Sequence, residues 1–183
     1  MPIQETTMNV RTMSILAASA SVAFSMTGCA SAPSARYDAV AALSPASGSQ
    51  AGGTVSFRTI PGGVHMDAAL AGLPQGEHGF HIHEAGDCSA ADASSAKGHF
   101  NPFNKPHGGY AHGEHHAGDM PNLTADASGK AVLSVDLPGL VIGAGETNIL
   151  GRSVVIHVDP DDYKSQPAGN SGKRIACGVI RAG

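Results

Sequence analysis

An all-β fold, a sandwich or barrel of short strands, is what this 183-residue sequence predicts. Three observations carry the prediction. Apolar residues recur with a period of two in short runs, turn-forming Gly, Pro, Asp and Ser separate those runs, and no stretch shows a 3.6-residue apolar period. Composition agrees: Gly is abundant at 24, only 4% of residues are aromatic and Trp is absent. The length suits one domain with a sizeable core.

Residues 1–28 read as an export signal of lipoprotein type. Arg11 precedes an apolar run over 13–26, shorter than the roughly 20 residues that span a bilayer but right for a signal-peptide core. The run ends Met26-Thr27-Gly28-Cys29, which resembles the lipobox of bacterial lipoproteins, whose cysteine is lipidated and becomes the mature N-terminus. Met26 departs from the usual Leu, Glu5 weakens the basic region, and Met8 is an alternative start. Cleavage near Ala32, giving a soluble periplasmic product, is the rival reading. A buried N-terminal helix is another, but the segment has no helical polar stripe. Residues 29–36 form a small-residue tether, and 37–183 form the domain.

Within the domain, 37–43 and 54–60 read as strands. In the second, Val55 and Phe57 alternate with Ser56 and Arg58. Pro61-Gly62-Gly63 turns the chain into 64–70, where Val64, Met66, Ala68 and Leu70 share a face, so the pair is a hairpin. Leu73-Pro74-Gln75-Gly76 precedes a strand carrying His81. Asp126-Ala127-Ser128-Gly129 turns into a strand over 131–137, and the strands 150–158 and 175–180 follow. Two segments lack strand character, roughly 84–123 and 159–173. Loops this long are usually functional or disordered.

The first of these loops carries five of the ten histidines. Neutral imidazole is the commonest metal ligand and suits copper and zinc, so a metal site is expected from this Gly-rich excursion. His81 and His83 project from one face of their strand, about 6.5 Å apart along the chain. Phe80 and Ile82 then point inward with His78, a hydrogen-bonded core histidine, and His65 is a strand residue. The ligand face is therefore the outer face, and the long loops must fold over it. With 11 basic and 15 acidic residues the net charge is −4, leaving no basic excess for nucleic acid. If Cys29 is lipidated or removed, Cys88 and Cys177 remain as an even pair for an oxidising compartment, two buried free thiols being the alternative.

Six ordered blocks then carry a resemblance over about 37–183. They are Gly79-Phe80-His81-Ile82-His83-Glu84, Gly98-His99-Phe100-Asn101-Pro102, His107-Gly108-Gly109, His116-Ala117-Gly118-Asp119, Gly151-Arg152-Ser153-Val154-Val155-Ile156-His157 and Arg174-Ile175-Ala176-Cys177-Gly178-Val179-Ile180. Together they resemble the Cu,Zn superoxide dismutase family, and the signal and the ten-residue linker from Cys88 to His99 resemble its bacterial exported branch.

The resemblance implies an eight-stranded Greek-key β-barrel or sandwich with two long loops covering a metal site on its outer face. It implies copper on His81, His83, His99 and His157, zinc on His99, His107, His116 and Asp119, and one ion of each per subunit. His99 is then the imidazolate shared by both metals. Asp161 links a copper-ligand and a zinc-ligand histidine, Arg174 holds the superoxide anion beside copper, and Cys88 pairs with Cys177. The implied activity is dismutation of superoxide to oxygen and hydrogen peroxide, protecting the cell envelope. A lipid anchor at Cys29 is expected to hold the protein to a membrane, and monomer and homodimer both stay open.

Tyr110-Ala111-His112-Gly113-Glu114-His115 adds two histidines. His115 competes with His116 as zinc ligand, but the His-x-x-Asp spacing favours His116; a weak metal-capture role for His112 and His115 is the alternative to plain loop residues. Lys164 and Lys173 are either solvated loop lysines or part of an attractive field. A metal-buffering protein without turnover is the second functional reading, and it expects loss of ligands or of Arg174, none of which is lost here. A purely structural sandwich leaves the histidine spacing unexplained.

Overall fold

The computed structural model describes residues 1–4, 36–111 and 113–183. All but residues 1–4 of the expected signal, Cys29, Ala32, most of the 29–36 tether and His112 lie outside the described residues. The strands are β1 (Ala39–Pro45), β2 (Gly52–Ile60), β3 (Gly63–Ala71), β4 (Gly76–His78), β5 (Phe80–His83), β6 (Leu123–Ala125), β7 (Ala131–Pro138), β8 (Ser153–His157), β9 (Arg174–Val179) and β10 (Arg181–Ala182). Among the described residues no α-helix forms, and no helix is long and apolar enough to cross a membrane.

Eight strands make one antiparallel sheet in the order β5-β8-β9-β1-β2-β3-β7, with β10 also against β1. β4 and β6 form a separate ladder. Two chain links close the circuit: β4 runs into β5 through Gly79 alone, and β6 reaches β7 through the turn at Asp126. There Asp126 Oδ1 accepts the backbone N–H of Ser128 and Lys130 at 2.8 and 3.0 Å. The non-sequential neighbours β5–β8, β9–β1 and β3–β7 give the expected Greek-key barrel. Two short elements differ from expectation: β6 and β10 are strands that the sequence did not offer, because three and two residues are too few to show a period.

The alternation read in β2 and β3 is real. Val55, Phe57, Val64, Met66, Ala68 and Leu70 are buried and their neighbours face out. Phe57, Phe80, Ile82 and Ile156 meet in the core, and fully burying each such side chain contributes about 2–3 kcal/mol. β5 is the exception to one-sided burial, because all four of its residues are buried. Phe80 and Ile82 join the core, while His81 and His83 are covered by the loops.

The free edge of β5 explains how. Ile82 N–H donates to Gly118 O at 2.9 Å, and Ile82 O accepts from Phe100 N–H at 2.8 Å. Single bridges join His81 to Asp119 and His83 to His99. Two pieces of the 84–122 loop thus occupy an edge that would otherwise template foreign pairing. They bring His99, His116 and Asp119 onto the face that His81 and His83 present. A disulfide joins Cys88 to Cys177, with Cα atoms 5.7 Å apart, and fastens the start of that loop to β9.

Candidate metal centre

Two groups of side chains converge there, and all their members are buried: His81, His83, His99 and His157, and His99, His107, His116 and Asp119. In each group the ligand atoms lie within 4.8 Å of one another, and His99 belongs to both. His81 and His83 stand on β5. His157 ends β8, where a bulge between Ile156 and His157 sets it opposite Arg174. The remaining members come from the covering loop.

Hydrogen bonds fix which nitrogen of each ring is free. His83 Nδ1 donates to Lys97 O at 2.8 Å and His157 Nδ1 to Gly172 O at 3.2 Å. Their Nε2 atoms therefore carry lone pairs, and these face each other at 3.4 Å. Two lone pairs at that distance repel unless a cation stands between them. His81 donates from Nε2 to Asp161 Oδ2 at 2.8 Å, and His107 from Nε2 to Asp161 Oδ1 at 3.0 Å. His81 Nδ1, His99 Nε2, His107 Nδ1 and His116 Nδ1 are buried without a hydrogen-bond partner. Buried polar atoms are rarely left so, and a bound ion is what this donor set fits.

Asp119 organises the second group. Its Oδ1 lies 2.8 Å from His99 Nδ1, 3.1 Å from His107 Nδ1 and 3.4 Å from His116 Nδ1. Only the first contact has hydrogen-bond geometry; the other two are close approaches around a common point. Asp119 Oδ2 accepts the backbone N–H of Gly108 and His116 at 3.1 and 2.9 Å. Three nitrogens and one carboxylate oxygen are a zinc-type donor set, and four nitrogens suit copper.

The electrostatics hold three of these imidazoles neutral and charge a fourth. Burial, and then His99 and His157, hold His83 well below the usual histidine range. Burial takes His99 down to about 4 and His157 to about 3. Burial also opposes charge on His107, but Asp119 and Asp161 outweigh it and raise that imidazole to about 9. Burial works against ionising Asp119 and Asp161 too, yet the surrounding imidazoles keep both carboxyls well below the usual range.

Arg174 points into a cleft of about 310 Å³ lined by His83, His99, His157, Pro167 and Ala168. Its guanidinium donates to Ala93 O at 2.7 Å and Lys97 O at 2.5 Å. A roomier groove of about 640 Å³ beside the disulfide holds no imidazole, so volume does not locate the chemistry. Lys173 lies beside Arg174, whereas Lys164 lines a separate groove with Tyr110 and Tyr163.

His78 is buried, with both ring nitrogens on backbone oxygens, His157 O at 3.0 Å and Pro74 O at 2.8 Å. His65 sits on β3 against Asp67 and Asp136. His115 turns Nδ1 to His116 O at 2.7 Å and belongs to neither group.

Three contributors carry no sequence signal. Gln166 holds His107 by both ends of its peptide: its Oε1 accepts His107 N–H and its Nε2 donates to His107 O, both at 2.9 Å. Asn122 does the same to Asp161, accepting its N–H at 2.9 Å and donating to its carbonyl at 3.0 Å. Gly169, at φ +64°, packs where a Cβ would run into the Asp161 carboxylate and lie 2.9 Å from His107 Nε2.

Comparison with known proteins agrees with this geometry. The family model described as copper/zinc superoxide dismutase matches residues 51–180. Superoxide dismutase (Cu-Zn) 2 of Aquifex aeolicus is 51% identical over 124 residues, 65% of this chain and 72% of that protein. The superoxide dismutase (Cu-Zn) of Deinococcus radiodurans is 41% identical over 143 residues, 71% and 77% of the two chains. A crystal structure of a double mutant of a SOD-like protein from Bacillus subtilis is similar with a TM-score of 0.71 at 38% identity, covering 78% of this chain and 96% of that one.

Proposed function

The chain belongs to the copper/zinc superoxide dismutase family, an oxidoreductase family of copper and zinc, and from that premise we propose that its two ions share the ring of His99. One observation carries this reading: His99 is the single residue common to both ligand groups. Its Nε2 is a buried orphan, and its Nδ1 lies 2.8 Å from Asp119. His81 Nδ1, His83 Nε2, His157 Nε2 and His99 Nε2 would hold copper. His99 Nδ1, His107 Nδ1, His116 Nδ1 and an Asp119 oxygen would hold zinc. Copper, when bound, supplies the one-electron cycle that oxidises one superoxide to oxygen and reduces a second to hydrogen peroxide, while zinc has no redox cycle.

The protein's share of the work is positional. Arg174 is always charged, with fixed donors, so it draws the superoxide anion into the cleft beside His83 and His157. His99 Nε2 is the site that takes up and passes on one of the two protons the peroxide product needs. Asp161 holds His81 and His107 in one tautomer each, and such partners tune ligand affinity.

The reading extends to location. The 13–26 apolar run, the Met26-Thr27-Gly28-Cys29 ending and a disulfide of the kind that persists in oxidising compartments support export, lipidation at Cys29 and protection of the cell envelope. Intact mass of the exported protein tests this: a mature chain starting at lipidated Cys29 supports it, and one starting past Ala32 replaces the anchor with a soluble form. Superoxide consumption by the metal-loaded protein against His157→Ala tests the enzyme. Metal retained with no turnover in the parent protein would make it a buffer instead.

A further inference from the structure

Arg152 lies just before β8 and belongs to neither ligand group. Its guanidinium carbon sits 3.4 Å from the centroid of the Phe100 ring. Its Nε donates to Asn148 O at 2.7 Å and its Nη1 to Glu84 O at 3.0 Å. Two of these three contacts fall on immediate chain neighbours of copper ligands: Glu84 follows His83, and Phe100 follows His99.

Those ligands come from different segments, the end of β5 and the covering loop. Locally they are tied by one bridge between His83 and His99, whose two bonds run from Glu84 N–H to Gly98 O at 2.9 Å and from Phe100 N–H to Ile82 O at 2.8 Å. The position of Arg152 is set from elsewhere, because its carbonyl accepts Ile180 N–H at 2.8 Å and its N–H donates to Ile149 O at 3.2 Å. Its third contact, Asn148, is itself fixed, since Asn148 Oδ1 accepts Gly143 and Leu150 N–H at 3.0 Å each.

We propose that Arg152 is a positioning residue for the copper site, setting the spacing of His83 and His99 by clamping the residue after each. This rests on the copper assignment above. The chemistry asks for arginine: a planar guanidinium serves two carbonyls in its plane while its face lies on an aromatic ring, which a lysine ammonium cannot do.

The test loads the parent protein, Arg152→Lys and Arg152→Ala with copper and zinc. It then reads the electron paramagnetic resonance of bound Cu(II) and the rates at which each metal passes to excess chelator. Loss of supporting partners typically lowers metal affinity about 10–100-fold. Arg152→Ala is therefore expected to shift the copper hyperfine splitting and release copper at least about tenfold faster, with zinc, which shares only His99 of the two clamped ligands, accelerated less and Arg152→Lys intermediate. An unaltered spectrum and copper rate overturn the role. So does zinc release that accelerates as much as copper release, since that marks general loosening. Should Arg152→Ala fail to fold, Arg152→Lys decides by the same readouts, and a parent-like spectrum overturns the clamp. A parent protein whose copper spectrum shows no imidazole nitrogens fails the ligand assignment itself and takes this proposal with it.

Discussion

His83 and Arg174 hang from the same oxygen: the Lys97 carbonyl accepts His83 Nδ1 at 2.8 Å and Arg174 Nη2 at 2.5 Å. One peptide group therefore fixes the tautomer of a proposed copper ligand and the direction of the proposed anion anchor. Lys97 is bent to do this. Its backbone sits at φ 62°, ψ −150°, a region that glycine occupies almost alone and that costs another residue roughly 1–3 kcal/mol.

Lys97→Gly is accordingly expected to stabilise the metal-free protein by about 1 kcal/mol, strain relief being partly offset by the entropy of a glycine in the unfolded chain. The carbonyl stays, so turnover should survive. Lys97→Val, β-branched at positive φ, should instead destabilise by about 2 kcal/mol. Urea unfolding of the three proteins checks the order, and equal midpoints would remove the strain from the account.

Gln166 and Gly169 test how the loops hold the proposed zinc side. Gln166→Ala removes both bonds to the His107 peptide and should weaken zinc retention about tenfold, the low end for lost ligand support. Gly169→Ala drives a methyl group into the Asp161 carboxylate at a positive φ, so it should loosen copper as well as zinc, because Asp161 touches His81 and His107 alike. Competition with a chelator measures both. Gln166→Ala with parent-like zinc retention would make that clamp ornamental.

The metal-free protein should be most stable near neutral pH. His107, raised to about 9, contributes stability that is complete below its unfolded value near 6.5 and is lost as pH rises through about 9. His99 and His157, lowered to about 4 and about 3, stay neutral in the fold while the unfolded chain binds protons, so stability falls as pH drops from about 6.5 towards 4. Denaturant midpoints across this range check the dome. The same shift means that His107 is protonated at pH 7 until zinc arrives. Calorimetry in buffers of different ionisation enthalpy should therefore find about one proton released per zinc; none released would place the proton elsewhere.

Much of this was legible in the sequence, for reasons that also mark the limit. The period of two placed His81 and His83 together on the outer face of β5, and it gave the β2–β3 hairpin. The ordered blocks brought His99, His107, His116, Asp119 and His157 to one place. What escaped depends on loop closure. Gln166 meets His107 across 59 positions, Asn122 meets Asp161 across 39 and Arg152 meets Glu84 across 68. No local pattern encodes such contacts. Lys97 was invisible for another reason: a strained backbone announces itself in a sequence only when glycine occupies it.

The disulfide closes a loop of sequence separation 89, for which chain entropy gives about 4.5 kcal/mol before any native strain. Cys88→Ser with Cys177→Ser should lower the unfolding free energy by about 2–5 kcal/mol and free the start of the covering loop from β9. A change well under 1 kcal/mol would show that the loop is held by its metal ligands instead.

The most direct test of the shared ring is diffraction from copper- and zinc-loaded crystals, with data collected on either side of each metal's absorption edge. The expected result is one copper and one zinc peak on opposite nitrogens of His99, about 6 Å apart, the sum of two metal–nitrogen bonds near 2 Å and the width of one imidazole. Copper and zinc in separate places, or both on one side of that ring, would contradict the account.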